Sequence, residues 1–318
     1  MKSVASAPGK VILFGEHFVV YGISALLCSI DKRITVTSQT TGEKMIKIKS
    51  DIGHIEISND SLPITNESTP ESMKPFLYIV KRTLERLKKN VGIEVKIESE
   101  IPPGIGLGSS SACCVAAAAS ITALFEKLSR EEVLKLAIEA ERTMFENTSG
   151  ADCSVCTFGG LMGYDMKNGF KKINSKADFS LVIANSKQTH QTRELVENVR
   201  RFRENNEDLF AFLCQQESNL VQSALLALQQ NDLAALGLLM SENQALLERI
   251  GVSTEKLGLL IKEAKKTAYG AKITGAGGGG CIIALTDKSN LDQTLSNLKN
   301  LGDCFAAKID YRGLLDTF

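Results

Sequence analysis

The run Pro102-Pro103-Gly104-Ile105-Gly106-Leu107-Gly108-Ser109-Ser110-Ser111 constrains this chain more than any other stretch. Glycine occupies every second position, three hydroxyls follow, and an alanine-rich apolar run extends from Ala112 to about Phe125. Upstream, Ile93, Val95 and Ile97 alternate with polar residues, the period of a half-buried strand. The order is strand, glycine turn, helix start. Glycine lets the backbone enter φ > 0 and approach a ligand closely, so successive N–H groups can converge on an anion. A helix beginning at the serines adds unpaired donors and the positive end of its dipole. The hydroxyls can bond phosphate oxygens or ligate Mg²⁺, a cation that prefers oxygen. A turn that is glycine-rich for packing alone has the same local pattern. The loop ends without Gly-Lys-Ser/Thr and its spacing departs from Gly-x-Gly-x-x-Gly, so it matches neither common nucleotide fingerprint.

A second dense cluster runs from Pro8 to Gly22. Lys10, Glu16 and His17 stand there among apolar residues and glycines. Charges in such surroundings are paired or face a cleft; an edge-strand lysine beside a solvated turn is the plainer alternative. A third cluster, Thr274-Gly275-Ala276-Gly277-Gly278-Gly279-Gly280, feeds a buried strand from Cys281. Ser149-Gly150-Ala151-Asp152 places a carboxylate near a helix start, where the dipole favours its ionised form and where a simple N-cap would also sit.

Between these clusters the periodicity predicts strands at Val4–Phe14 (broken by Pro8-Gly9), Ile34–Thr40, Met45–Lys49 and His54–Ile57, and a loop over Pro63–Pro70. A helix follows from about Glu71 to Asn90, then one opened by the capping box Ser129-Arg130-Glu131-Glu132. Leu161–Tyr164 and Phe179–Ala184 read as strands. Helices are expected near Thr192–Asn206, Leu209–Gln230, Leu233–Ile250 and Thr254–Thr267, then a helix at Leu291–Leu298 and a strand at Phe305–Ile309. At 318 residues the core is expected to divide; we place the boundary at residues 1–175 and 176–318.

Lys plus Arg equals Asp plus Glu at 37 each, which offers no basis for nucleic acid or an anionic membrane as partner. Glu16 and His17 interrupt the early apolar run, so it does not read as a signal peptide, and Ala112–Phe125 is too short for a bilayer span. The eight cysteines lie mostly in apolar segments, suiting buried thiols in a reducing cytoplasm. Cys153-Ser154-Val155-Cys156 has no second pair or ligand histidine beside it to suggest a metal or redox site.

The three clusters, in order, resemble the three motifs of the GHMP small-molecule kinases, and the set spans nearly the whole chain. Gly15-Glu16-His17-Phe18-Val19-Val20-Tyr21-Gly22 is most similar to the branch acting on mevalonate. The resemblance implies an α+β, two-domain GHMP kinase fold, with a ribosomal protein S5 domain 2-like N-terminal half, a ferredoxin-like C-terminal half and the site between them. It implies ATP-dependent phosphorylation of the primary hydroxyl of (R)-mevalonate to 5-phosphomevalonate in isoprenoid synthesis, although the sequence alone leaves open which hydroxyl is used. The alternatives are a phosphomevalonate kinase, a mevalonate 3-kinase, an ATP-dependent diphosphomevalonate decarboxylase or a non-catalytic ligand binder. It assigns Asp152 as catalytic base and Lys10 as its partner, and the ATP phosphates to Pro103, Gly104, Gly106, Leu107, Gly108, Ser109, Ser110 and Ser111. Mg²⁺ goes to Ser110 and Glu141, and substrate to Glu16, His17, Thr192, Gly275, Ala276 and Gly277. A homodimer is also implied. The chain departs from the pattern in Asn147-Thr148-Ser149-Gly150, where proline is common at the second position, in Phe145, where histidine is common, and in the third serine, Ser111, which leaves open which hydroxyl meets the metal.

Overall fold

The computed structural model describes residues 1–51, 53–59, 69–146, 148–175, 177–188 and 192–317. Two sheets organise it. The larger contains β1 (Lys2–Phe14), β2 (Ala25–Thr41), β3 (Met45–Ser50), β4 (Gly53–Ser58), β5 (Gly92–Ser99), β6 (Leu161–Asp165), β7 (Gly169–Ile173) and the C-terminal β12 (Leu315–Thr317). Its order is β12-β1-β2-β5-β3-β4, with β6 also on β2 and β7 on β6. Only the β3–β5 pair among these described strands is parallel. The second sheet is antiparallel, β11-β8-β10-β9, from β8 (Ser180–Asn185), β9 (Gly270–Ile273), β10 (Cys281–Thr286) and β11 (Cys304–Lys308).

Pro8-Gly9 does not break β1 as its sequence suggests. The strand runs through, and its register on β2 shifts between Pro8↔Arg33 and Gly9↔Ile30. A bulge absorbs the proline, which has no N–H to give the ladder. The predicted loop over Pro63–Pro70 falls largely outside the described residues. The predicted helix at Glu71–Asn90 is one short turn plus α1 (Lys74–Arg86).

The helix α2 (Ser109–Ala123) has no polar face and is buried along most of its length, the condition in which such a helix is stable. Its alanines let it lie close on β1 and β2, while α1, α3 (Arg130–Glu141) and α4 (Ala151–Phe158) cover its other faces. Ser129 and Glu132 form the expected capping box of α3. In the other half, α5 (Thr192–Asn205), α6 (Glu207–Gln230), α7 (Leu233–Arg249), α8 (Glu255–Ala264) and α9 (Leu291–Lys299) follow the predicted order. Helix α7 packs on β9 so closely that a side chain at Gly270 would collide with the Gly237 carbonyl. The Arg33 guanidinium clasps Asp310 and donates to the Gly313 carbonyl at 2.7 Å, tying the C-terminal segment back to the larger sheet. No described helix is long and apolar enough to cross a membrane.

Candidate active site

Lys10 sits on β1 where the glycine loop crosses the strand: its N–H donates to the Leu107 carbonyl at 2.9 Å. Buried Ile105 and Leu107 anchor the loop, alternating with exposed Gly104 and Gly106. Gly104, Gly106 and Gly108 all take φ between +71° and +82°, a region other residues enter at a cost. Gly108 has a second reason to be glycine: a Cβ there would stand 2.6 Å from Lys10 Cγ. The loop therefore lies directly on the lysine stem. We expect Gly108→Ala to push Lys10 aside and lower turnover about a hundredfold, read as kcat in a variant whose circular dichroism is unchanged.

Gly108 is also the N-cap of α2, so the N–H groups of Ser109, Ser110 and Ser111 form its open first turn. Ser109 and Ser110 are half-buried, Pro103 is exposed and Ser111 is buried. Asp152, in the first turn of α4, comes from the opposite side. Its Oδ2 lies 3.0 Å from Lys10 Nζ, with side-chain exposures of 35% for the acid and 6% for the amine. Salt-bridged to an otherwise buried ammonium, Asp152 is not acting as a plain helix cap; its helix is capped by Gly150 with no side-chain bond.

Glu141 ends α3 and is buried. Ser111 Oγ donates to its Oε1, and Thr148 Oγ1 donates to its Oε2 at 2.6 Å. Ser111, next to the expected Ser110, is the serine bonded to Glu141 here. Successive residues on a helix point about 100° apart, so the turn of α2 brings Ser111 round to the acid. These are hard oxygen donors at the edge of a phosphate-type loop, and they fit Mg²⁺, which takes one or two carboxylates and fills its shell with phosphate and water. The described residues hold no cluster of three or more His, Cys, Asp or Glu that would cage a metal unaided.

The third cluster reaches the first two across the chain. Thr274 Oγ1 accepts from the Ile12 N–H at 2.9 Å and donates to the Ile12 carbonyl at 3.1 Å. A methyl group at Gly275 would lie 3.8 Å from the Gly106 carbonyl, so the two glycine turns face each other. His17 Nε2 lies 2.7 Å from the Ala276 carbonyl. A carbonyl only accepts, so Nε2 carries the proton and Nδ1 is the acceptor of a neutral ring. Burial lowers the His17 pKa in the same sense. Gly277 (φ +76°) has no room for a side chain, since a Cβ would meet the Val252 carbonyl at 2.3 Å.

Of the expected substrate-side residues, Glu16 is buried, and its carboxylate is paired with the fully buried Lys272 of β9. Burial pushes its pKa up against the pull of that ammonium. Thr192 opens α5 as an exposed residue. The following turn of α5 touches the third cluster through Leu195 at Gly278, and residues 189–191 lie outside the described set. Missed altogether were Lys272, Glu217 and Asn243. Both ions had a signal of the kind that marked Lys10: Lys272 interrupts a buried strand, and Glu217 falls on the apolar stripe of Leu213, Leu220 and Val221. Cys153 and Cys156 are buried free thiols whose pKa burial raises well above the ordinary value.

Beside the loop a cavity of about 240 Å³ is lined by Phe76, Ile97, Ile101, Pro102 and Pro103, and by Ser109 at the start of α2.

Residues 77–160 match the GHMP kinases N terminal domain, and residues 224–304 match the GHMP kinases C terminal family. The chain is 37% identical to the mevalonate kinase of Pyrococcus furiosus over 300 residues, covering 90% of this chain and 89% of that one. The crystal structure of the Methanococcus jannaschii mevalonate kinase superposes with a TM-score of 0.86 at 28% identity, over 96% of this chain and 98% of that one. L. major mevalonate kinase in complex with R-mevalonate superposes at 0.82 with 26% identity, over 96% and 95% of the two chains. Kinship at this level, over nearly the full length of both sequence and fold, makes the chain a member of the mevalonate kinase family of GHMP kinases.

Proposed function

We propose that the protein transfers the γ-phosphoryl group of ATP to the primary hydroxyl of (R)-mevalonate, giving 5-phosphomevalonate and ADP. The observation that carries this reading is the Lys10–Asp152 contact of 3.0 Å beneath the glycine loop. Phosphoryl transfer asks a protein chiefly for positioning and for stabilisation of spreading charge. The Gly104–Ser111 backbone and the first turn of α2 receive the phosphates. The base of ATP lies in the apolar cavity beside Pro102 and Ser109, which is continuous with that loop. Asp152 accepts the hydroxyl proton as the alcohol oxygen bonds to the γ-phosphorus and the bond to the ADP oxygen breaks. Lys10 aims the carboxylate and offsets charge on the group in transit. Mg²⁺, when bound, neutralises the phosphates; Glu141 with Ser111 or Ser110 would hold it.

On the substrate side we place His17, with Nδ1 as acceptor, and the Gly275–Gly277 turn, with Thr192 above them. Glu16 acts through the turn it belongs to rather than by contact. We further propose that the chain divides into working halves at residues 175/176, β12 excepted, and that it operates in the cytoplasm, where its eight free thiols stay reduced.

The test is to offer the pure protein ATP and Mg²⁺ with mevalonate, phosphomevalonate, galactose or homoserine. ADP is expected with mevalonate alone, with phosphate on C5 by NMR and no CO₂. Turnover of another acceptor in preference, phosphate on C3, or CO₂ release overturns the reading.

A further inference from the structure

Glu141 is a buried acid held by two hydroxyls, one on each carboxylate oxygen. Ser111 of α2 donates to Oε1, and Thr148, in the turn between α3 and α4, donates to Oε2 at 2.6 Å. A carboxylate taken out of water needs donors of this kind. The two donors differ in what else they do. Ser111 belongs to the first turn of α2 beside the glycine loop, and its hydroxyl is one of the two that would hold Mg²⁺. Thr148 has no part in the chemistry above.

The backbone brings Thr148 to the acid. The chain leaves α3 in a tight coil: the N–H groups of Met144 and Phe145 both turn back to the Glu141 carbonyl, at 3.0 and 2.9 Å, and the Thr148 N–H reaches the Phe145 carbonyl at 3.0 Å. This returns Thr148 to the end of α3. Gly150 then takes φ +76° and packs on α3 so closely that a Cβ would stand 2.5 Å from Ile138 Cδ1. The Thr148 oxygen also accepts from the Gly150 N–H at 3.3 Å. Gly150 is the N-cap of α4, whose first turn carries Asp152. One side chain therefore touches both the acid on the metal side and the backbone that leads to the proton-accepting carboxylate.

A glutamate has several side-chain torsions to fix, and fixing them costs entropy. Threonine suits the task of holding one, because branching at Cβ restricts its own rotamers and so keeps its oxygen in place. A hydrogen bond made before the ligands arrive leaves less to order when they bind. We propose that Thr148 is a positioning residue whose hydroxyl fixes the Glu141 carboxylate and, through the Gly150 N–H, sets its spacing from Asp152. Its bearing on Mg²⁺ rests on the functional reading above.

Thr148→Val removes the hydroxyl at nearly constant shape, and Thr148→Ser keeps it. Two measurements separate the inference from the reading it rests on. In ligand-free, metal-free protein, hydrogen exchange over the segment Gly150 to Cys156 reports the tie itself. Protection there is expected to fall about tenfold in Thr148→Val, as for loss of a hydrogen bond to a charged group, and to hold in Thr148→Ser. Mn²⁺, a paramagnetic stand-in for Mg²⁺, is then titrated into the protein–ADP complex and read by electron paramagnetic resonance. Its dissociation constant is expected to rise about tenfold in Thr148→Val, the usual effect of losing a hydrogen-bond partner behind a metal-holding side chain, and to return in Thr148→Ser. ADP affinity without metal and the KM for mevalonate should barely change. Unaltered exchange in Thr148→Val overturns the inference. So does a level Mn²⁺ affinity, or a loss that Thr148→Ser shares. An equal weakening of metal-free ADP binding or of the KM for mevalonate marks a general disturbance of the site and overturns the positioning role. Exchange as expected in a protein that neither binds Mn²⁺ with ADP nor turns over mevalonate supports the Thr148 tie and overturns the functional reading instead.

Discussion

Asp152→Asn is expected to lower the kcat of mevalonate phosphorylation by roughly 10²–10⁴-fold, the usual contribution of a positioned general base, with little change in either KM. An alcohol gives up its proton reluctantly, and an amide cannot take it. The fold is expected to lose only on the order of 1 kcal/mol, because Asp152 is 35% exposed and asparagine still offers Lys10 an acceptor oxygen. Chemical denaturation and single-turnover kinetics on one preparation check both halves. Near-normal turnover in the folded variant would remove Asp152 from the mechanism. Lys10 touches Asp152 directly, so losses from Lys10→Met and Asp152→Asn should fall well short of adding in the double variant, as for groups that act as a unit.

The second large effect is on stability. Lys272→Met leaves Glu16 buried without its counter-ion, and removing one partner of such a pair costs about 3–5 kcal/mol. The cost should depend on pH in a defined direction. Glu16 and Glu217 both have folded pKa values raised above 4.5 by burial. For an acid of that kind stability is complete below the unfolded pKa and is lost as pH rises towards the folded one. The loss in Lys272→Met is therefore smaller near pH 5 than near pH 8. Adding Glu16→Gln should recover much of it, since the cost arises from an unpaired charge rather than from missing volume. Urea midpoints at the two pH values, with unchanged m, measure this. A pH-independent loss would mean that Lys272 matters for packing alone.

Features that depend on neighbours in the chain were legible before the fold. The Gly104–Ser111 turn, the Ser129 capping box, the alanine-rich helix and the alternating strands were read from spacing. Each follows from backbone preference or from a side-chain period of 2 or 3.6. The residues Lys10 and Asp152 were singled out because ions stand among apolar neighbours or at a helix start. That they meet at 3.0 Å required the fold. Short exposed strands escaped notice, because β7 and β12 carry little apolar alternation. That Ser111 is the serine bonded to Glu141 is a matter of helix phase, which a glycine-rich entry leaves undefined in sequence.

By itself the sequence determined where the chain turns, which segments bury themselves, and which three loops have the backbone freedom to approach an anion. Tertiary structure alone decided the partners: Glu16 with Lys272 across 256 positions, Gly15 with Glu217 across 202, and the C-terminal strand on β1. The physical reason is that local conformation is set by sterics within a few residues. A buried charge instead takes whichever opposite charge or donor the closing core brings to it once water is excluded.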